Sequence, residues 1–286
     1  ITEGVAISGN GLGYARTPSI HTPGQVAAWR NVTTAVHAAG GRIAIQLMHV
    51  GRIAHPANQP AGARMVAPSA IAAKGDMWTD AQGMQPMPAP EELTAGEIAA
   101  VIEEFARAAS NAREAGFDGI ELHSANGYLP NQFLSPNSNL RTDAYGGSPE
   151  NRIRFVLEVF DAMAAAWEPG RIGVRISPAG TFNDIDDPDA ATTYPLLASE
   201  LAKRGAAWLH VVRIDSPRFT GWDKLRANFP GTLILNTGLT RDSGEALLAS
   251  GAADLISYGR PYIANPDLVD RFRNDWPLAE PDPATF

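Results

Sequence analysis

A pattern of helix, then glycine, then apolar strand recurs four times along this chain, and it constrains the fold more than any other feature of the sequence. Helical periodicity over Gln25–Ala39, Thr94–Ala115, Ala190–Arg204 and Asp242–Ser250 ends each time at a glycine: Gly40, Gly116, Gly205 or Gly251. Glycine is the residue that most easily takes the left-handed conformation closing a helix. Strand-sized runs follow at Arg42–Leu47, Phe117–His123, Ala207–Val212 and Asp254–Tyr258. Two further strands, Ile172–Ile176 and Thr232–Asn236, and a helix over Pro149–Trp167 continue the alternation, while Thr94 with Glu97 forms a capping box. Such alternation predicts βαβ units feeding a parallel sheet.

Counting Ile1–Thr2 as the tail of one more strand gives seven strands, whereas a closed (β/α)8 TIM barrel takes eight. An open seven-strand arc exposes two unpaired edges. The expectation is therefore an α/β barrel forming a single domain over residues 1–286, with its first strand outside the chain as given. A longer parent chain or a partner segment would supply that strand. The 44% hydrophobic content suits one large core. A Pro- and Gly-rich stretch, His49–Leu93, interrupts the repeat and predicts either a lid over the catalytic face or a packed surface excursion.

Charge and cysteine content narrow the partners. A formal net charge of −8 gives no long-range attraction for phosphates, which argues against nucleic acid and requires local arginines or backbone N–H groups for any anionic cofactor. With no cysteine, thiolate and iron–sulfur chemistry within the chain is excluded. No apolar run approaches the roughly 18 residues of a membrane helix, so a cytoplasmic protein is expected. His49 and His55 fit neither a helical nor a strand pattern of metal ligands, and no metal is expected.

Polar residues just past a barrel strand's C-terminal end point into the catalytic face. After Phe117–Leu122 come His123, Asn126 and Tyr128. The first two can donate hydrogen bonds to one oxygen, and the phenol can deliver a proton, a set suited to reducing an activated double bond. Arg175 sits among apolar residues, where it would meet either the anionic edge of a reduced flavin or an internal carboxylate such as Glu121. Gln46 ends its strand as a flavin-ring contact or as a satisfied structural amide. Gly238, Gly259 and Arg260 follow the last two strands, where barrels commonly bind phosphate.

Four segments, QLMHVGR (46–52), HSANGYLPNQFLSPNSNLRTDAYGGSPENRIRF (123–155), RISPAG (175–180) and YGRPYIANPDL (258–268), closely resemble the Old Yellow Enzyme family. The resemblance runs from Ile1–Gly4 to the terminal PDPATF. It implies FMN, NADPH or NADH as donor, and α,β-unsaturated carbonyl or nitro substrates. It also implies ping-pong kinetics, with hydride passing from the nicotinamide to the flavin and then to the substrate's β-carbon. By the same resemblance His123 and Asn126 bind the substrate oxygen, Tyr128 protonates the α-carbon, Gln46 and Arg175 contact the flavin ring, and Gly238, Gly259 and Arg260 hold its phosphate. The family's first strand has no counterpart here, nor does its extension beyond Thr285–Phe286. Met48 stands where the family often has Trp, which implies a roomier pocket. An inactive barrel fragment unable to retain flavin is the alternative.

Overall fold

The computed structural model describes residues 1–282 and 284; Thr285–Phe286, the point beyond which the family's extension was expected, lie outside the described residues. Seven strands pair in chain order, all parallel: β1 (Gly4–Ala6), β2 (Ala44–Met48), β3 (Gly119–Ser124), β4 (Ile172–Ile176), β5 (Trp208–Val212), β6 (Thr232–Asn236) and β7 (Leu255–Ile256). Helices α1 (Pro23–Ala38), α2 (Ala95–Glu114), α3 (Arg154–Ala166), α4 (Ala190–Lys203), α5 (Trp222–Asn228) and α6 (Arg241–Ala249) form the connections. Their apolar faces and the outward strand residues, among them Phe105, Ile120, Leu122, Phe155, Phe160, Val174, Leu197 and Leu209, make one continuous core. Gly40, Gly116, Gly205 and Gly251 all take positive φ just past a helix, and Thr94 and Glu97 cap α2 reciprocally.

The first strand departs from expectation. It is Gly4–Ala6, and Ile1–Thr2 precede it, with the Thr2 N–H donating to Ala44 O and the Thr2 hydroxyl accepting the Gln46 N–H. Registers Gly4↔Gln46 and Ala6↔Met48 set its position. The Pro149–Trp167 helix divides at Ile153, and the helices Leu129–Leu134, Trp222–Asn228, Arg260–Ala264 and Leu268–Asn274 were not anticipated. Among the described residues β1 pairs with β2 and, through one bridge from Ala6, with Ser19, while β7 pairs only with β6, and a cleft of about 850 Å³ runs between Ile1–Glu3 and Ile256–Gly259.

The excursion after β2 is a packed wall. A hairpin joins Asp76–Thr79 to Gly83–Pro86, and Val66–Ala67 pairs with Glu91–Glu92. Val50, Ile53, Ala54, Met65, Ala73, Met77 and Met87 bury a small second core together with Met48, and Tyr14 and Tyr128 pack against it.

Candidate active site

Side chains alternate along a strand, so the registers bring Gln46, Glu121 and Trp208 into one inward layer and His123, Arg175 and His210 into the next. Gly173 stands opposite Glu121 and Trp208 because nothing larger fits: a Cβ there would lie 2.0 Å from the Trp208 ring. Glu121 is fully buried and receives Gln46 Nε2 at 2.7 Å, Trp208 Nε1 at 2.8 Å and His210 Nδ1 at 2.9 Å. Burial pushes its carboxyl up, but His210, Trp208 and Gln46 outweigh that and hold it at about 2. Glu121 therefore does not form the ion pair with Arg175 that the sequence left open. One group of the Gln46 amide is likewise committed to structure.

Arg175 is left short of partners. Its Nη2 lies 3.4 Å from Asn236 Oδ1, and its buried Nε has none among the described residues. Burial depresses its pKa, and Glu121 only partly opposes this. A guanidinium desolvated without a full set of acceptors is costly unless an anion completes it.

The loop after β3 is held from three sides. Asn126 N donates to Ser177 Oγ at 2.9 Å, Gly127 N to Asn131 Oδ1 at 2.9 Å, and Asn131 Nδ2 to Tyr194 Oη of α4 at 3.0 Å. Asn183 Nδ2 donates to Asn126 O at 2.8 Å. Gly127 has φ 79°, and a Cβ there would sit 2.5 Å from Asn183 Cβ, so the turn requires glycine. The loop aims three side chains at one face.

His123 Nδ1 accepts the Ala125 N–H at 3.3 Å. Burial, reinforced by Arg175, lowers its pKa to about 3, so the ring is neutral and its proton sits on Nε2. The Tyr128 ring meets the His123 ring edge-on at 4.7 Å. Its hydroxyl donates to Tyr14 Oη at 3.2 Å, and burial, then Tyr14, raises its pKa well above that of a free phenol. Asn126 is half-buried, and its side-chain amide has no hydrogen bond among the described residues.

Gln46, Met48, His123, Tyr128 and Tyr14 line a pocket of about 400 Å³. Arg175 lines the seam cleft and a neighbouring cavity of about 470 Å³, which also contains Gly238, Gly259 and Arg260. Gly238 has φ 67°, and a Cβ on it or on Gly259 would meet nothing within 4 Å. His49 is fully buried, its Nδ1 accepting the Gly51 N–H, and His55 caps a short turn. Among the described residues no three His, Cys, Asp or Glu side chains cluster as metal ligands.

A model of the NADH:flavin oxidoreductase / NADH oxidase family matches residues 1–279. The chain belongs to that family. A probable flavin mononucleotide-dependent alkene reductase of Leishmania infantum is 45% identical over 297 residues, covering 100% of this chain and 80% of the relative. Morphinone reductase in complex with tetrahydroNAD superposes with a TM-score of 0.93 at 42% identity, covering 99% of this chain and 79% of that one. An old yellow enzyme homologue from Zymomonas mobilis superposes at 0.94 with 37% identity, covering 99% and 81%. The Old Yellow Enzyme resemblance and the barrel fold read from the motifs are thus borne out. No helix among the described residues is long and apolar enough to cross a membrane.

Sequence reasoning missed four residues that the structure brings to the candidate site: Tyr14, Asn131, Asn183 and His210. Tyr14 was within reach of the strand-end rule that found His123. With the first strand placed at Ile1–Thr2, its C-terminal end fell too early for the rule to reach GLGYAR.

Proposed function

We propose that residues 1–286 act as one FMN-binding barrel domain that reduces the activated double bond of α,β-unsaturated carbonyl or nitro compounds, with NADPH or NADH as donor. The observation that carries this reading is Arg175, a half-buried cation whose Nε is buried and orphaned among the described residues, facing the cavity that also contains the open turns at Gly238 and Gly259. Those residues fit an anionic flavin nucleotide: Arg175 and the free oxygen of Gln46 at the ring, Gly238, Gly259 and Arg260 at the phosphate. The bound flavin supplies a two-electron carrier between nicotinamide and alkene.

The protein's own residues do the rest. His123 Nε2–H and the Asn126 amide donate to the substrate's carbonyl or nitro oxygen, drawing electron density from the β-carbon. His123 does this as a neutral donor, because a ring with so low a pKa is not an acid at neutral pH. Tyr128 Oη gives the proton that the α-carbon gains. Met48 walls the pocket beside Tyr128. A strand pairing with both β1 and β7 would close the seam.

The test is the visible spectrum of the purified chain after incubation with FMN and gel filtration. Retained flavin bands that bleach with NADPH and return with an enone establish the reductase. A colourless protein favours the alternative, an inactive fragment that cannot hold flavin.

A further inference from the structure

We propose that Tyr14 is the second member of a proton relay, returning to Tyr128, across their hydroxyl contact, the proton that Tyr128 gives to the substrate. The inference rests on the ene-reductase reading above. Three observations carry it. Tyr14 Oη, 3.2 Å away, is the only hydrogen-bond partner of the Tyr128 hydroxyl among the described residues. Both rings pack against the methionine-rich second core, where a phenolate left on Tyr128 would be poorly solvated. On the far side of Tyr14, Asn183 Nδ2 lies 3.5 Å from its hydroxyl while also donating to Asn126 O, which ties this amide to the catalytic loop.

The step balances. A C–H bond forms at the α-carbon as the Tyr128 O–H bond breaks, and the electron pair stays on the Tyr128 oxygen. In the same step the Tyr14 hydroxyl, turned toward Tyr128 once the Tyr128 hydroxyl has turned toward the substrate, gives up its proton: the Tyr14 O–H bond breaks and a new O–H bond restores Tyr128. The negative charge now rests on Tyr14, at a half-buried position lining the 400 Å³ pocket, where Asn183 donates to it and water returns one proton. Charge thus leaves Tyr128 for a hydroxyl that has a second donor, Asn183, beside it.

Tyr14→Phe keeps the ring, and with it the edge-to-face packing on Tyr128 at 6.2 Å, while removing the hydroxyl. Stopped-flow separates the two half-reactions. The relay requires alkene-driven reoxidation slowed about ten- to a hundredfold, and slowed more than flavin bleaching by NADPH is. It also requires the rate in mixed H2O/D2O to change from a curved, two-proton dependence to a linear, one-proton one. An unchanged reoxidation rate overturns the relay and leaves the reductase standing, as does a slowed rate whose isotope dependence stays curved. Wild-type protein that NADPH fails to bleach overturns both. A ligand-free readout is alkaline titration of tyrosinate absorbance in Tyr14→Phe, Tyr128→Phe and the double variant. Coupled hydroxyls give single-variant differences that do not sum to the double; additive differences overturn the proposal.

Discussion

Replacing Arg175 with methionine is expected to stabilise the flavin-free chain while weakening flavin binding, two effects of opposite sign from one substitution. Arg175 Nε is buried without a partner, and Nη2 reaches only a long contact with Asn236. Leaving a buried donor unsatisfied costs about 1–3 kcal/mol, and methionine of similar reach removes that cost. In a chain of this size 1 kcal/mol corresponds to roughly 2 °C, so the flavin-free variant melts about 2–6 °C higher. If the guanidinium instead bonds an anionic ring when flavin is present, the variant forfeits a charge-assisted bond worth about 1.5–3 kcal/mol, and flavin affinity falls roughly ten- to a hundredfold. Calorimetry without flavin and fluorescence titration with FMN measure the two arms separately. A variant that melts lower without flavin, or that binds FMN as tightly as wild type, refutes the reasoning.

Three further outcomes are expected. Tyr128→Phe leaves bleaching by NADPH intact but slows alkene-driven reoxidation by about 10²- to 10⁴-fold in stopped-flow, and equal reoxidation rates would remove Tyr128 as the acid. Burial, opposed by Arg152, raises the Asp187 pKa from 3.8 to about 6, and its Oδ2 has no partner among the described residues. The folded protein therefore holds that proton more tightly than the unfolded chain, and stability falls as pH rises from about 4 through 6. Asp187→Asn should flatten that decline and raise the denaturant midpoint at pH 7; a variant that keeps the decline would assign it elsewhere. Met48→Trp narrows the pocket beside Tyr128 and should change product enantiomer ratios with bulky enones, an effect that unchanged ratios would exclude.

Much of the barrel was legible because its signals are local. Each helix stop needs one glycine in the left-handed region, and each inward layer needs only the two-residue period of a strand. The cluster at His123, Asn126 and Tyr128 was legible for the same reason, since six consecutive residues at one strand end must share a face. The β1 boundary was less so. In ITEGVAI both Ile1–Thr2 and Gly4–Ala6 lie within one strand-like run, and pairing with β2 decides between them.

The sequence by itself determined the order of strands and helices, the caps that end them and the identity of the polar groups at the strand ends. Only the tertiary structure decided which of those groups meet. Glu121 could have paired with Arg175 one strand away. It meets Trp208 and His210 instead, because Gly173 leaves a gap into which the indole enters, while Arg175 reaches toward Asn236. Tyr14 and Tyr128 are separated by 114 residues and touch only because their strand-end loops converge on one pocket. Such contacts depend on register and curvature across several strands, which no short stretch of sequence contains.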